Sequence, residues 1–165
     1  MIEKPIKYRK IAALAIFLLL FFFAGYFRDF LFVNTNLQLY KLSSNKAEGE
    51  GEVDAALHII TSLSYNQLYI AKWIMTIIFC LIYLGISYLI VQLLFKEKKY
   101  RNITITTYGI LLFISFLVTV IGYFINDNTW TYKLSRYLMG IAKSPIVIMI
   151  LIPAFKLKSI EKLSD

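Results

Sequence analysis

The sequence predicts an all-α, polytopic membrane protein with four transmembrane helices and both termini in the cytoplasm. Three observations lead there. Residues 11–27, 73–95 and 102–126 contain no Asp, Glu, Lys or Arg. The 165-residue chain is 59% hydrophobic, and that content sits in blocks instead of being spread periodically. Its basic residues flank the blocks.

An uncharged run of about 18 residues or more crosses a hydrocarbon core ~30 Å thick at ~1.5 Å per residue. Lipid offers no hydrogen bonds to a bare backbone, so only helices and closed barrels span it. The blocks are continuously apolar and do not alternate, which selects helices.

Taken in order, helix 1 is expected over residues 11–33. Its basic start (Lys4, Lys7, Arg9, Lys10) resembles a signal peptide. The apolar run is longer than the usual ~7–15 residues, and no small-x-small cleavage site follows, so it reads as a retained anchor. An outer loop, 34–67, comes next. Its Gly/Glu-rich middle, Ser43 to Glu52, buries too little apolar surface to order itself, which makes the loop partly disordered. Val53, Leu57, Ile60 and Leu63 then recur at helical spacing, as in a short helix lying on the membrane or packed on the protein. Helix 2 is expected over 68–95 and helix 3 over 103–125.

Helix 4 is the hardest to place. Only residues 144–155 are free of charge after helix 3, and about 12 residues reach only ~18 Å. A kinked full span over 135–155 must carry Lys143 inside. The alternative is a surface segment followed by a half-helix, with Ser144 as N-cap and Pro145 at the first helical position. The kinked span is the preferred reading. The whole forms a single membrane domain, 1–165, and no internal repeat is visible.

Orientation follows from Lys and Arg in the short flanks. Lys4, Lys7, Arg9 and Lys10, then Lys96, Lys98, Lys99 and Arg101, then Lys156, Lys158 and Lys162 fall on one side. Lys41, Lys46, Lys133 and Arg136 fall on the other. Three basic clusters on one side require an even number of crossings between them. Trp73, Trp130, Tyr65, Tyr69, Tyr123, Tyr132 and Tyr137 then gather at the outer interface as an aromatic belt. The same flanking pattern explains the net charge of +8 without invoking nucleic acid.

Ionisable residues within membrane segments are the default candidates for function, because burying them is costly. Here they are Arg28 and Asp29 late in helix 1, Lys72 at the start of helix 2, and Lys143, with Arg136 nearby. The lesser reading pairs Asp29 with Lys143 or with Arg28, which would offset part of that cost. The bland reading has the first three at the interface and Lys143 snorkelling outward. Gly140 and Ser144 are four apart, as are Ser115 and Thr119, a spacing that lets helix backbones approach in lipid. Arg28, Asp29, Lys72, Arg136, Gly140, Lys143, Ser144 and Pro145 are therefore the structural and interaction candidates.

Chemistry is hard to assemble from the remainder. The only histidine, His58, lies in the outer loop, whereas the only cysteine, Cys80, lies within helix 2. A histidine that activates a thiol must reach it. One cysteine forms no internal disulfide. Glu48, Glu50, Glu52 and Asp54 could bind a divalent ion loosely but read as a solvated linker. Gly49-Glu50-Gly51 follows no strand and is no phosphate loop. No catalytic, metal or cofactor residues are expected.

Phe27-Arg28-Asp29-Phe30-Leu31-Phe32 ends helix 1, and Arg136-Tyr137-Leu138, Pro145 and Ile152-Pro153-Ala154-Phe155 mark helix 4. In these motifs, and helix for helix over most of its length, the chain resembles the small exosortase-associated membrane proteins of Bacteroidota, of the exosortase F system-associated type. Arg28 stands where that family has an acid, the outer loop is longer, and Lys156 replaces an aromatic residue after Phe155. The resemblance implies a multi-pass protein of the bacterial inner (cytoplasmic) membrane. It would work beside an exosortase-like integral membrane partner and supply no Cys/Arg/His catalytic set of its own.

The expectation is a non-enzymatic accessory subunit contacting membrane lipids and a larger membrane protein. Its rivals are a small oligomeric channel or transporter component, and a membrane enzyme using His58 or outer-loop Glu residues.

Overall fold

In the computed structural model, residues 3–44, 57–95, 97–125 and 128–164 are described. They form six helices: α1 (Glu3–Ser44), α2 (His58–Thr61), α3 (Tyr65–Leu94), α4 (Lys98–Ile125), α5 (Asn128–Ala142) and α6 (Ile146–Ser164). No strand occurs among the described residues. Three helices are long and apolar enough to cross a membrane, and α5 with α6 adds a fourth if that bent pair counts as one span. The fold is thus all-α and compatible with a multi-pass membrane protein.

The surface agrees. Leu18, Phe22 and Phe23 on α1, Ile77 and Leu81 on α3, and Phe113, Phe116 and Phe124 on α4 are exposed large side chains. Contiguous apolar surface on that scale is rare on soluble monomers and normal against lipid. Among the described residues, every buried side-chain nitrogen and oxygen has a hydrogen-bond partner. That is what a medium without water demands. Tyr65, Tyr69, Trp73, Tyr123, Trp130 and Tyr137 are exposed, as an aromatic belt at an interface requires.

The chain divides into two compact units: Met1–Phe21 with Cys80–Asp165, and Phe22–Phe79.

In the Phe22–Phe79 unit, the C-terminal half of α1 packs antiparallel on the start of α3. Phe27 and Phe32 lie against Phe79, and further along Asn36 meets Lys72. The expected end of helix 1 at residue 33 is corrected here, since α1 continues to Ser44. The polar run that reads as a loop satisfies its side chains within its own helix. Asn34 Nδ2 donates to the Phe30 carbonyl (2.8 Å) and Thr35 Oγ1 to the Leu31 carbonyl (2.8 Å). Asn34, Thr35 and Gln38 are buried. At ~1.5 Å per residue, α1 is about 63 Å long, twice a hydrocarbon core.

Of the expected amphipathic segment, the described residues include the single turn α2, which buries none of its residues. The acidic strip, Glu48 to Asp54, lies outside the described residues, as does Val53. Ser64 opens α3 through a reciprocal cap. Gln67 Oε1 accepts from the Ser64 amide at 2.9 Å, and Ser64 Oγ from the Gln67 amide at 3.5 Å.

In the other unit, α4 and α5 run antiparallel in close contact, Ser115 meeting Ser135 and Gly122 meeting Thr131. The expected helix 4 is corrected in part. It begins at Asn128 instead of residue 135 and is interrupted at residues 143–145. Its axis bends by 58° there. The pair nevertheless follows α4 from end to end. Its start packs at Gly122, and Phe155 of α6 returns to Tyr100 at the start of α4.

Candidate functional site

Three polar or aromatic contacts fix the helices of the Cys80–Asp165 unit. The first lies between α4 and α5. Ser115 Oγ and Ser135 Oγ are 2.9 Å apart, each also reaches the other's backbone carbonyl at 3.1 Å, and Thr119 Oγ1 lies 2.8 Å from Ser135 Oγ. Ser115, Thr119 and Gly122 form one small-residue face of α4, so the two backbones approach closely. The Ser115/Thr119 spacing is therefore used inside the chain. Its partner Ser135 was not singled out from the sequence, although the stripe could have been followed to Gly122 at the next turn.

The second joins α3 to α4. Ser87 Oγ and Tyr108 Oη are 2.9 Å apart, and Tyr108 Oη also donates to the Tyr83 carbonyl at 3.4 Å. Phe21 of α1 stacks on the Tyr83 ring, 5.5 Å between centroids. Tyr108→Phe deletes the hydroxyl and leaves Ser87 looking for a partner. About 1 kcal/mol of stability should be lost, because interhelical hydrogen bonds in membranes average ~0.6 and reach ~1.7 kcal/mol. Unfolding in detergent followed by circular dichroism measures it.

The third is aromatic. Phe95, Tyr100 and Phe155 form a triangle with centroids 4.8–5.6 Å apart. Arg101, next to it, sits 6.0 Å over the Tyr88 ring.

The sequence-derived candidates divide between the two units. Arg28 and Asp29 are ion-paired with each other, with Nη2–Oδ1 at 2.7 Å and Nε–Oδ1 at 2.9 Å. Asp29 stays largely exposed, and the i, i+1 pair contributes little in solvent. Lys72 Nζ donates to Asn36 Oδ1 at 2.7 Å, beside buried Thr76. Lys72→Met should cost about 1 kcal/mol, since it strands Asn36 in a half-buried polar seam. Lys72→Gln, which keeps a donor, should recover much of that in the same unfolding measurement.

Arg136, Gly140, Lys143, Ser144 and Pro145 all belong to the Cys80–Asp165 unit. Ser144 Oγ donates to the Ile141 carbonyl at 2.8 Å and accepts from the Ile146 amide at 3.4 Å. It closes one helix and opens the next. The Pro145 carbonyl takes the first α6 bond, from Met149, at 3.0 Å. Lys143, half-buried at this break, is within electrostatic reach of the buried Cys80 thiol at the middle of α3.

On the side of α5 turned away from α4, Lys133, Arg136, Tyr137, Gly140 and Ile141 share one face. With Ile146 of α6 they line an open groove of about 540 Å³. A side chain at Gly140 would meet nothing within 4 Å, so the Gly140/Ser144 spacing is not a contact within the described chain at Gly140. His58 is exposed, its carbonyl accepting from Thr61 Oγ1. Among the described residues, no three His, Cys, Asp or Glu side chains come together as a metal site.

No family model matches this chain, and neither a curated protein nor a solved structure matches it.

Proposed function

We propose that the chain is a four-span protein of the bacterial cytoplasmic membrane with both termini inside, acting as a non-enzymatic accessory subunit that packs against a larger integral membrane protein. The observation that carries the reading is α1. Only 6% of its most apolar 18-residue window is buried, against 39% for α3. A helix so little used by its own chain offers Leu18, Phe22 and Phe23 to lipid or to another protein. Lateral packing in lipid needs such a face, because apolar tails give no hydrophobic drive of their own.

The topology is supported by α5 and α6 together matching the length of α4. The Phe95–Tyr100–Phe155 triangle also brings Lys156 and Lys158 to the same end as the basic link that contains Lys98, Lys99 and Arg101. Two basic clusters at one end obey the positive-inside rule. The motifs Phe27–Phe32, Arg136–Leu138 and Ile152–Phe155 point to an exosortase-type enzyme as the partner.

Affinity isolation of the full chain from native membranes in mild detergent is expected to recover a stoichiometric integral membrane protein. Leu18→Ala with Phe22→Ala, one turn apart on α1, should weaken its recovery several-fold. Recovery of only a monomer or homo-oligomer contradicts the reading.

One observation favours a second reading, a small transport component. Broken helices with polar groups at the break line many transport sites, and Lys143 lies at such a break. If that reading holds, oligomers in liposomes carry ion flux, and Lys143→Leu abolishes it.

A further inference from the structure

The groove on α5 has a built-in polarity. Lys133 and Arg136 are three residues apart on one helix face, so their charged ends converge over one spot. Both are exposed, and neither forms an ion pair among the described residues. No acidic residue lines the groove. About two turns further on, the lining becomes Gly140, Ile141 and Ile146, where the missing side chain at Gly140 leaves a channel and α6 bends away. Exposed Trp130 and Tyr137 flank the basic end, and such rings mark the level of lipid headgroups.

A cationic end at headgroup level above an apolar trough is the shape of a single phospholipid. The charge selects an anionic one, since a phosphodiester accepts from an Arg fork and a Lys together. Basic pockets between membrane helices bind anionic headgroups on the same principle. We infer that this groove holds an acidic phospholipid of the phosphatidylglycerol class, with its phosphate between Lys133 and Arg136 and an acyl chain along Gly140, Ile141 and Ile146. The inference rests on the membrane placement of α5 and α6 and not on the accessory role.

The test uses the full chain in neutral detergent, titrated with phosphatidylglycerol or with phosphatidylcholine of identical acyl chains. Retained lipid is counted by native mass spectrometry. One phosphatidylglycerol is expected to be retained, at least tenfold over phosphatidylcholine. Lys133→Gln with Arg136→Gln should reduce retention about tenfold. Gly140→Leu, which removes no charge and whose Cβ meets nothing within 4 Å, should reduce it several-fold by filling the trough. Lys98→Gln with Lys99→Gln, which removes the same charge at the other end, should leave it unchanged.

Circular dichroism and gel filtration matching the parent establish that each variant is folded. Glycerol 3-phosphate, a headgroup without chains, should fail to displace the lipid at equal concentration. Equal retention of both lipids overturns the inference. So does equal loss in the Lys98/Lys99 variant, or full binding by Gly140→Leu. Failure here leaves partner recovery untouched, so the two readings fail separately.

Discussion

Replacing Gly122 with Leu is expected to cost about 3 kcal/mol and to loosen α5 from α4. A Cβ at Gly122 would collide with Thr131, meeting both its hydroxyl oxygen and its own Cβ, the latter at 2.6 Å. The Thr131 hydroxyl can rotate, but its Cβ is fixed to the α5 backbone, so the helix itself must move. Overpacking of this kind costs ~1–3 kcal/mol. The shift also pulls Ser135 from Ser115 and Thr119, two turns away along the same seam. Each bond lost adds ~0.6 kcal/mol or more. Gly109→Leu is the control, because a Cβ at Gly109 meets nothing within 4 Å. That change should be neutral or stabilising, since glycine is a poor helix former. Denaturant unfolding in micelles, read by circular dichroism, separates the two. Equal stability of the pair would mean that α4 and α5 do not meet at Gly122.

The second large effect is expected from Phe155→Ala. Phe155 is 4% exposed and touches the rings of Phe95 and Tyr100. Phe→Ala in a water-soluble core costs ~3–5 kcal/mol. Part of that is transfer from water, which largely vanishes when the unfolded segment stays in lipid or detergent. Two ring contacts at ~0.5–1.5 kcal/mol each remain, together with the cavity, giving about 2–3 kcal/mol. The loss should be local. With α6 released, trypsin should cut at Lys156 and Lys158 faster by an order of magnitude or more, while cleavage at Lys41 is unchanged. Phe155→Leu, which refills most of the volume, should restore much of the protection.

Both effects concern contacts that one-dimensional reading reaches only in part. The three long apolar helices are legible in the sequence because lipid imposes a length and forbids charge, and both constraints are written along the chain. The end of α1 is not, since Asn34 to Gln38 has the composition of a loop. Its Asn34, Thr35 and Gln38 are buried, with Asn34 and Thr35 satisfied by bonds back to Phe30 and Leu31, and that burial is a tertiary fact. Ser144-Pro145 announces a break, and a break is there. That the chain still runs the full length of α4 depends on where Phe155 returns, which no local pattern specifies. The Ser115/Thr119 spacing is visible, yet its seat against Ser135 and Thr131 requires the α4–α5 register.

The candidate residues show the same division. Asp29 has two plausible cations in the sequence, and its neighbour Arg28 forms the observed pair. A kinked helix 4 must carry Lys143, and the structure sets that residue half-buried at the break. The α5 groove is invisible to sequence reading, because it arises from the bend and from the empty space at Gly140.

The most direct test of the central claim is topology mapping in intact bacteria with paired reporters. Green fluorescent protein and alkaline phosphatase are fused in turn to the N-terminus, after Lys46, within the link at Lys98, and after Asp165. The account requires fluorescence without phosphatase activity at both termini and at Lys98, and phosphatase activity without fluorescence at Lys46. Phosphatase activity at Asp165 would mean that α5 and α6 turn back without crossing, and would contradict the four-span arrangement on which the account stands.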